Sequence, residues 1–173
     1  MAVEVYISED QIKNKITELA YKVNEDFAGQ EVVAICVLNG AFMFCADLVR
    51  EITLPVTMEF IKVSSYGAGA NSSGEIKFEV DLKKSLAGKN VLIVEDIVDT
   101  GLTITKIMEK LKTHSPLTIQ LASLLFKPSR NIHPVKIDYL GFEIQDKFVI
   151  GYGLDYDGKF RELPYIGIFD EEN

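Results

Sequence analysis

The stretch Val91-Leu92-Ile93-Val94-Glu95-Asp96-Ile97-Val98-Asp99-Thr100-Gly101-Leu102-Thr103 decides how the chain is read. Consecutive apolar residues run into two adjacent carboxylates, then a third, then a Thr-Gly-x-Thr turn. A continuous apolar run, as opposed to an alternating one, predicts a strand buried on both faces of a parallel sheet. Beyond Gly101 the period changes: Ile104, Ile107, Met108 and Leu111 recur at helical spacing. The acids therefore stand where a parallel strand ends and a helix begins. In open α/β sheets, ligands bind there.

The chemistry of the stretch has two halves. Thr100 to Thr103 open a helix and offer free backbone N–H groups, two hydroxyls and the positive end of the helix dipole, a cradle for a phosphate monoester. Glu95 and Asp96 repel phosphate, so they should face the vicinal hydroxyls of a sugar or a divalent cation. A sugar phosphate satisfies both halves. Asp99 lies between them, placed to exchange a proton near the sugar. The alternative is that Asp99 and Thr103 merely cap the helix. Three acids within five residues at the end of a buried strand argue against that. Neither a G-x-G-x-x-G nor a G-x-x-x-x-G-K-[ST] pattern occurs anywhere.

Outward from this centre the chain alternates. Ser8-Glu9-Asp10-Gln11 fits a capping box, followed by a helical face of Ile12, Ile16, Leu19, Ala20, Val23 and Phe27, with Gly29 as its stop. Glu31 to Leu38 predicts a buried strand broken by Asn39-Gly40, and Ala41 to Ile52 a helix. Val56 to Val63 predicts a second strand. The glycine-rich stretch Ser64 to Gly74 reads as a mobile loop, and Glu75 to Val80 as a returning strand. After the central unit come a buried strand over Thr118 to Phe126, a Lys127-Pro128-Ser129-Arg130 turn, and short strands within Val135–Phe142, Lys147–Tyr152 and Pro164–Phe169. Alternating strands and helices imply an α/β fold with a mostly parallel sheet flanked by helices. The helix-free end, from roughly 135 to 173, is expected to form a small hood with the N-terminal residues, within a single domain spanning 1–173.

The totals narrow the class. A chain of 173 residues suffices for one domain with a sizeable core. Its net charge of −8, with no basic stripe, argues against a nucleic-acid surface. No apolar stretch has the length of a membrane span, and the N-terminus lacks a signal-peptide layout, so a cytoplasmic location is expected. Cys36 and Cys45 lack CxxC spacing and read as reduced, packed thiols. His114 and His133 read as surface or turn residues, and Phe42-Met43-Phe44 as core or subunit interface.

Val91 to Thr103 resembles the phosphoribosyl-pyrophosphate-binding motif of the type I phosphoribosyltransferases. Leu124-Leu125-Phe126-Lys127 and Gly141 to Tyr156 resemble the purine-binding part of the hypoxanthine/guanine members. Val37-Leu38-Asn39-Gly40 and Ser64-Ser65-Tyr66-Gly67 match two further loops of that family, in the same order. The resemblance implies a type I phosphoribosyltransferase-like core and a purine-salvage reaction. In it, 5-phosphoribosyl passes from 5-phosphoribosyl-1-pyrophosphate to a 6-oxopurine, hypoxanthine or guanine, giving IMP or GMP and pyrophosphate.

It also implies roles. Glu95 and Asp96 would hold the ribose hydroxyls, directly or through Mg²⁺, and Asp99 would be the general base near purine N7. Asp99, Thr100, Gly101, Leu102 and Thr103 would bind the 5′-phosphate. Lys127 would contact O6, Phe148 would stack on the purine, and the Val149 backbone would read the base edge. Asp155, beside the purine, would be a second Mg²⁺ contact. Leu38, Asn39 and Gly40, through a cis non-proline bond, would present amides to the pyrophosphate that Arg161 grips. Relatives often carry a basic residue where Asn39 stands. Ser65 and Tyr66 would lead a lid, roughly 64–75, that excludes water. Relatives form homodimers or homotetramers. Two rivals remain at this level. One is a non-catalytic regulator of the same fold that senses phosphoribosyl pyrophosphate or a nucleotide, disfavoured by the acidic composition. The other is a phospho-receiver domain, disfavoured because the acids lie mid-chain before Thr-Gly-x-Thr.

Overall fold

In the computed structural model of the chain, residues 3–65, 76–82 and 84–169 are described. The elements are β1 (Glu4–Ile7), α1 (Glu9–Asp26), β2 (Val32–Leu38), α2 (Phe42–Glu51), β3 (Val56–Ser65) and β4 (Ile76–Val80). They continue with β5 (Asn90–Val98), α3 (Leu102–Lys112), β6 (Thr118–Phe126), a 3-10 turn over Pro128–Arg130, β7 (Tyr139–Glu143), β8 (Val149–Ile150) and β9 (Ile166–Ile168).

Six strands form one sheet in the order β4-β3-β2-β5-β6-β7. All neighbours are parallel except β3 and β4. The continuous apolar run of β5 has its reason here. Val91 and Ile93 pack beneath Ile104, Ile107 and Leu111 of α3, while Leu92 and Val94 join Leu19, Phe44 and Leu48 of α1 and α2 on the other face. Each such buried aliphatic side chain contributes about 2 kcal/mol. Helix α1 starts as its sequence predicts: Gln11 N donates to Ser8 Oγ at 3.2 Å, and Ser8 N to Gln11 Oε1 at 2.9 Å. Cys36 and Cys45 are free and buried, and Cys45's hydrogen bond to Cys36, together with burial, pushes its thiol pKa up.

The winding places the site. From β2 the chain moves through α2 to β3 on one side, and from β5 through α3 to β6 on the other. The direction reverses between β2 and β5, so the loops after these two strands part and open a crevice at their carboxyl ends.

Two boundaries differ from expectation. β3 runs through Ser65, because Val63, Ser64 and Ser65 pair with Phe78, Lys77 and Ile76 of β4. Beyond Ser65, the expected lid falls on Tyr66 and residues 67–75, which lie outside the described residues. The expected hood from roughly 135 onward starts too early: β7 pairs with β6 in the main sheet. The second sheet is β1-β9-β8, antiparallel. Behind it Phe148, Tyr156, Phe160 and Phe169 pack ring on ring, Tyr156 and Phe169 stacked at 4.4 Å. In line with the sequence argument, α3 is capped by neither Asp99 nor Thr103. Its N-cap is Gly101 at φ +85°, with no side-chain cap.

Candidate active site

The crevice consists of two adjoining cavities. One, of about 460 Å³, is lined by Glu95 and by Thr100 to Thr103. The other, of about 370 Å³, is lined by Asn39, Lys127, Phe148, Val149, Asp155 and Arg161. Leu38, Gly40, Asp96 and Asp99 border both. The sequence-predicted site residues from Leu38 to Gly40, Glu95 to Thr103, and Lys127, Phe148, Val149, Asp155 and Arg161 thus meet around one cleft.

The carboxylate pair ends β5. Glu95 is buried, and its Oε1 accepts from the Asp96 N–H at 3.1 Å; Asp96 Oδ1 accepts from Ile97 N at 2.8 Å. Burial, reinforced by the charge of Asp96, raises the Glu95 pKa well above the carboxylate range. Burial likewise raises that of Asp96, against the hydrogen bonds it accepts and the nearby charge of Arg161. A buried and a half-buried acid side by side disfavour double ionisation unless a cation or hydroxyl donors meet them.

Gly40 explains how the β2 loop comes so close. A Cβ at Gly40 would stand 1.5 Å from Asp96 Oδ2. The Gly40 carbonyl oxygen in turn would lie 2.1 Å from a Cβ at Gly153. The β2 loop is sandwiched between the β5 acids and the hood, and the Leu38–Asn39 peptide bond is cis.

The phosphate half is backbone-built. Thr105 N donates to Gly101 O at 3.0 Å, and the first amides of α3 precede any helical acceptor. A Cβ at Gly101 would lie 2.1 Å from the His133 carbonyl oxygen, so only glycine fits there.

On the other side, Lys127 is buried at 9% exposure. Its backbone N donates to Val98 O at 3.0 Å, and its ammonium reaches Asp146 Oδ1 at 3.5 Å. A buried ammonium with one long carboxylate contact is poorly compensated. Phe148 is half exposed to the cavity, its edge held by Tyr156 and Phe169. Val149 pairs with Ile168.

Asp155 is engaged by its own neighbours in the hood. Its Oδ1 meets Arg161 at 2.7 Å and its Oδ2 accepts from Gly158 N at 2.8 Å. Arg161 also donates to Gly153 O at 2.5 Å. Among the described residues no three His, Cys, Asp or Glu side chains gather to hold a metal. Glu95 with Asp96, and Asp155 on its own, are expected as two separate Mg²⁺ contacts; Asp155 is ion-paired to Arg161.

Sequence reading missed two residues. Arg130 Nε donates to Asp99 Oδ1 at 2.9 Å, and Arg130 Nη1 reaches Asp146 Oδ2 at 3.5 Å. Their signal in the sequence was weak: an Arg in a Lys-Pro turn and an Asp in a polar loop.

Comparison with known proteins agrees with this geometry. Residues 8–157 match the phosphoribosyl transferase domain family. Hypoxanthine phosphoribosyltransferase of Salmonella typhimurium is 44% identical over 95% of this chain and 94% of that protein. A crystal structure of a Bacillus anthracis hypoxanthine-guanine phosphoribosyltransferase, with HEPES in its active site, superposes with a TM-score of 0.93 at 41% identity, covering 96% of this chain and 98% of that one. A ternary substrates complex of a Trypanosoma cruzi hypoxanthine phosphoribosyltransferase variant gives 0.92 at 41% identity, covering 98% and 96%. The chain belongs to the phosphoribosyltransferase family, within the branch formed by the hypoxanthine and hypoxanthine-guanine phosphoribosyltransferases.

Proposed function

We propose that the chain transfers 5-phosphoribosyl from 5-phosphoribosyl-1-pyrophosphate to hypoxanthine and guanine, giving IMP or GMP and pyrophosphate in purine salvage. The observation that carries this is the pair of cavities divided by Asp96 and Asp99. One chamber ends in a helix N-terminus suited to a phosphate. The other holds a buried ammonium and an exposed aromatic ring suited to an oxopurine. A ribose across the shared wall joins them.

In this reading Thr100 to Thr103 bind the 5′-phosphate and set the position of the ribose. Lys127 donates to O6, and Phe148 lies against the ring with Val149 at its edge. Asp99 takes the N7 proton as the new bond forms. Arg161 and the amides of the Leu38–Gly40 loop meet the pyrophosphate, whose charge grows as C1′ becomes oxocarbenium-like. Interactions that strengthen along that path accelerate the reaction. Asn39 adds no charge, so here the loop acts through its backbone.

Mg²⁺ fits Glu95 and Asp96. They are adjacent carboxylates whose pKa values burial raises, and Mg²⁺ commonly binds through one or two carboxylates together with substrate phosphates. Bound there, it would neutralise pyrophosphate charge. Asp155 would serve a second ion only after parting from Arg161.

We further propose a cytoplasmic homodimer or homotetramer. The exposed apolar side chains of Phe42 and Phe60 offer contact surface, and light scattering measures the state.

The deciding experiment mixes protein, Mg²⁺ and phosphoribosyl pyrophosphate with hypoxanthine, guanine, xanthine or uracil, and follows nucleotide formation. Turnover with hypoxanthine or guanine is expected. Binding of phosphoribosyl pyrophosphate without turnover on any purine would return the sensing reading.

A further inference from the structure

We propose that Arg130 is a positioning residue for the reaction: it fixes the Asp99 carboxylate in the orientation from which that group takes a proton. The inference rests on the assignment of Asp99 as base. Asp99 needs such a partner. It lies between the end of β5 and the Gly101 N-cap of α3, and its side chain is 39% exposed. An exposed carboxylate on a connecting segment samples several rotamers, whereas a base must sit within hydrogen-bond reach of its proton. The Arg130 Nε contact at 2.9 Å engages one oxygen, Oδ1, and a single-point contact of this kind leaves the other oxygen to act.

The guanidinium is itself held. The turn that carries Arg130 is stitched to the residues around Asp99 by backbone and side chain alike. Ile132 N and His133 N both donate to Thr100 O, at 3.2 and 2.8 Å, and Asn131 Nδ2 donates to the Asp99 carbonyl at 3.4 Å. At the start of the turn, Lys127 N donates to Val98 O. The two segments flanking Asp99 and Arg130 therefore move together, and the ion pair does not depend on a long side chain crossing open solvent. Asp146 takes the far side of the guanidinium and also reaches Lys127, each at 3.5 Å. One chain of contacts thus runs from the purine O6 position through Asp146 and Arg130 to the proton-accepting group.

The pair does little for stability. Arg130 and Asp99 are both well exposed, and ion pairs of that kind contribute almost nothing to folding. Its function lies in orientation, which predicts a specific pattern of loss.

Steady-state rates and melting temperatures are measured for the wild type, R130Q, D99N and the double variant, with Mg²⁺, phosphoribosyl pyrophosphate and hypoxanthine. R130Q is expected to lower kcat about tenfold, with hypoxanthine KM changed less than about twofold and an unchanged Tm. In the D99N background the same substitution is expected to change kcat by less than about twofold, because the group it positions is gone. Equal losses from R130Q in both backgrounds would assign Arg130 a merely structural role and overturn the inference. So would a wild-type kcat in R130Q beside an impaired D99N, with the Asp99 assignment left standing. A wild-type rate in D99N would remove Asp99 as the base and the inference with it.

Discussion

Gly40→Ala tests the site where its geometry is tightest. The added Cβ would start 1.5 Å from Asp96 Oδ2, and ordinary contact begins near 3.4 Å, so the carboxylate must move by about 2 Å. The atom in the way is the end of a side chain, and rotating it costs the fold little; overpacking of this kind destabilises by about 1–3 kcal/mol. Function has no such tolerance. A misplacement of about 1 Å in a positioned group costs on the order of a hundredfold. The variant is therefore expected to fold, with Tm lowered by about 2–12 °C, and to lose about a hundredfold or more in kcat/KM for phosphoribosyl pyrophosphate. The assay compares kcat/KM for each substrate, by nucleotide formation, beside a thermal melt. Gly29→Ala is the control. That glycine has φ +74° but nothing within 4 Å, so it carries backbone strain without touching the cleft. A Gly40→Ala enzyme with wild-type kcat/KM for phosphoribosyl pyrophosphate would refute the placement of Asp96 against the ribose and cation.

Three other substitutions probe the remaining groups. Asp99→Ala is expected to lower kcat by about a hundredfold or more, the usual cost of losing a general base, as read from initial rates at saturating substrate. Lys127→Ala removes a charged donor worth about 1.5–3 kcal/mol, so the purine KM should rise about ten- to a hundredfold. An effect confined to phosphoribosyl pyrophosphate would contradict the O6 assignment. Glu95→Gln should stabilise the ligand-free protein while weakening phosphoribosyl pyrophosphate binding. The folded state raises the pKa of Glu95, so the group's contribution is complete below the ordinary carboxylate range and is lost as pH rises through the raised value. Melting curves between about pH 5 and 8 should show the advantage of Glu95→Gln growing with pH. A difference that shrinks with pH would reverse the sign.

Much of this was legible in one dimension because the strongest signals are local. The apolar run of β5, the acids at its end and the helical period after Gly101 are consecutive, and winding rules place such a junction at a cleft. The Ser8–Gln11 cap is local too. What escaped notice depends on pairing partners distant in sequence. Nothing near Ser65 announces that it faces Ile76, and nothing in Tyr139–Glu143 says that it joins β6 rather than the hood. Arg130 meets Asp99 across 31 positions, and that meeting exists only once β5 and β6 lie side by side. Asp155 illustrates the converse. Its residue type suits a cation, but the fold brings Arg161 to it first.

The ends of β5 and β6 hold Glu95 and Lys127, a buried acid and a buried base with incomplete partners, in a domain whose other interior positions are filled mostly by aliphatic residues. Such groups cost stability and are retained only where something else meets them. Direct neutralisation of Lys127 by Glu95 would remove both penalties. Instead Lys127 turns toward Asp146 at 3.5 Å, and Glu95 toward the Asp96 amide. The two groups line different chambers, Glu95 that of the helix N-terminus and Lys127 that of Phe148. A ligand bearing a cation and hydroxyls at one end and a carbonyl at the other satisfies both at once. Its binding to the folded state alone adds stability, about 2.7 kcal/mol at a hundred times Kd. Neither substrate half alone compensates both groups. Under the proposed function, phosphoribosyl pyrophosphate with Mg²⁺ would relieve the β5 acids and the purine would relieve Lys127, so the desolvation cost left after the first substrate binds would favour binding of the second.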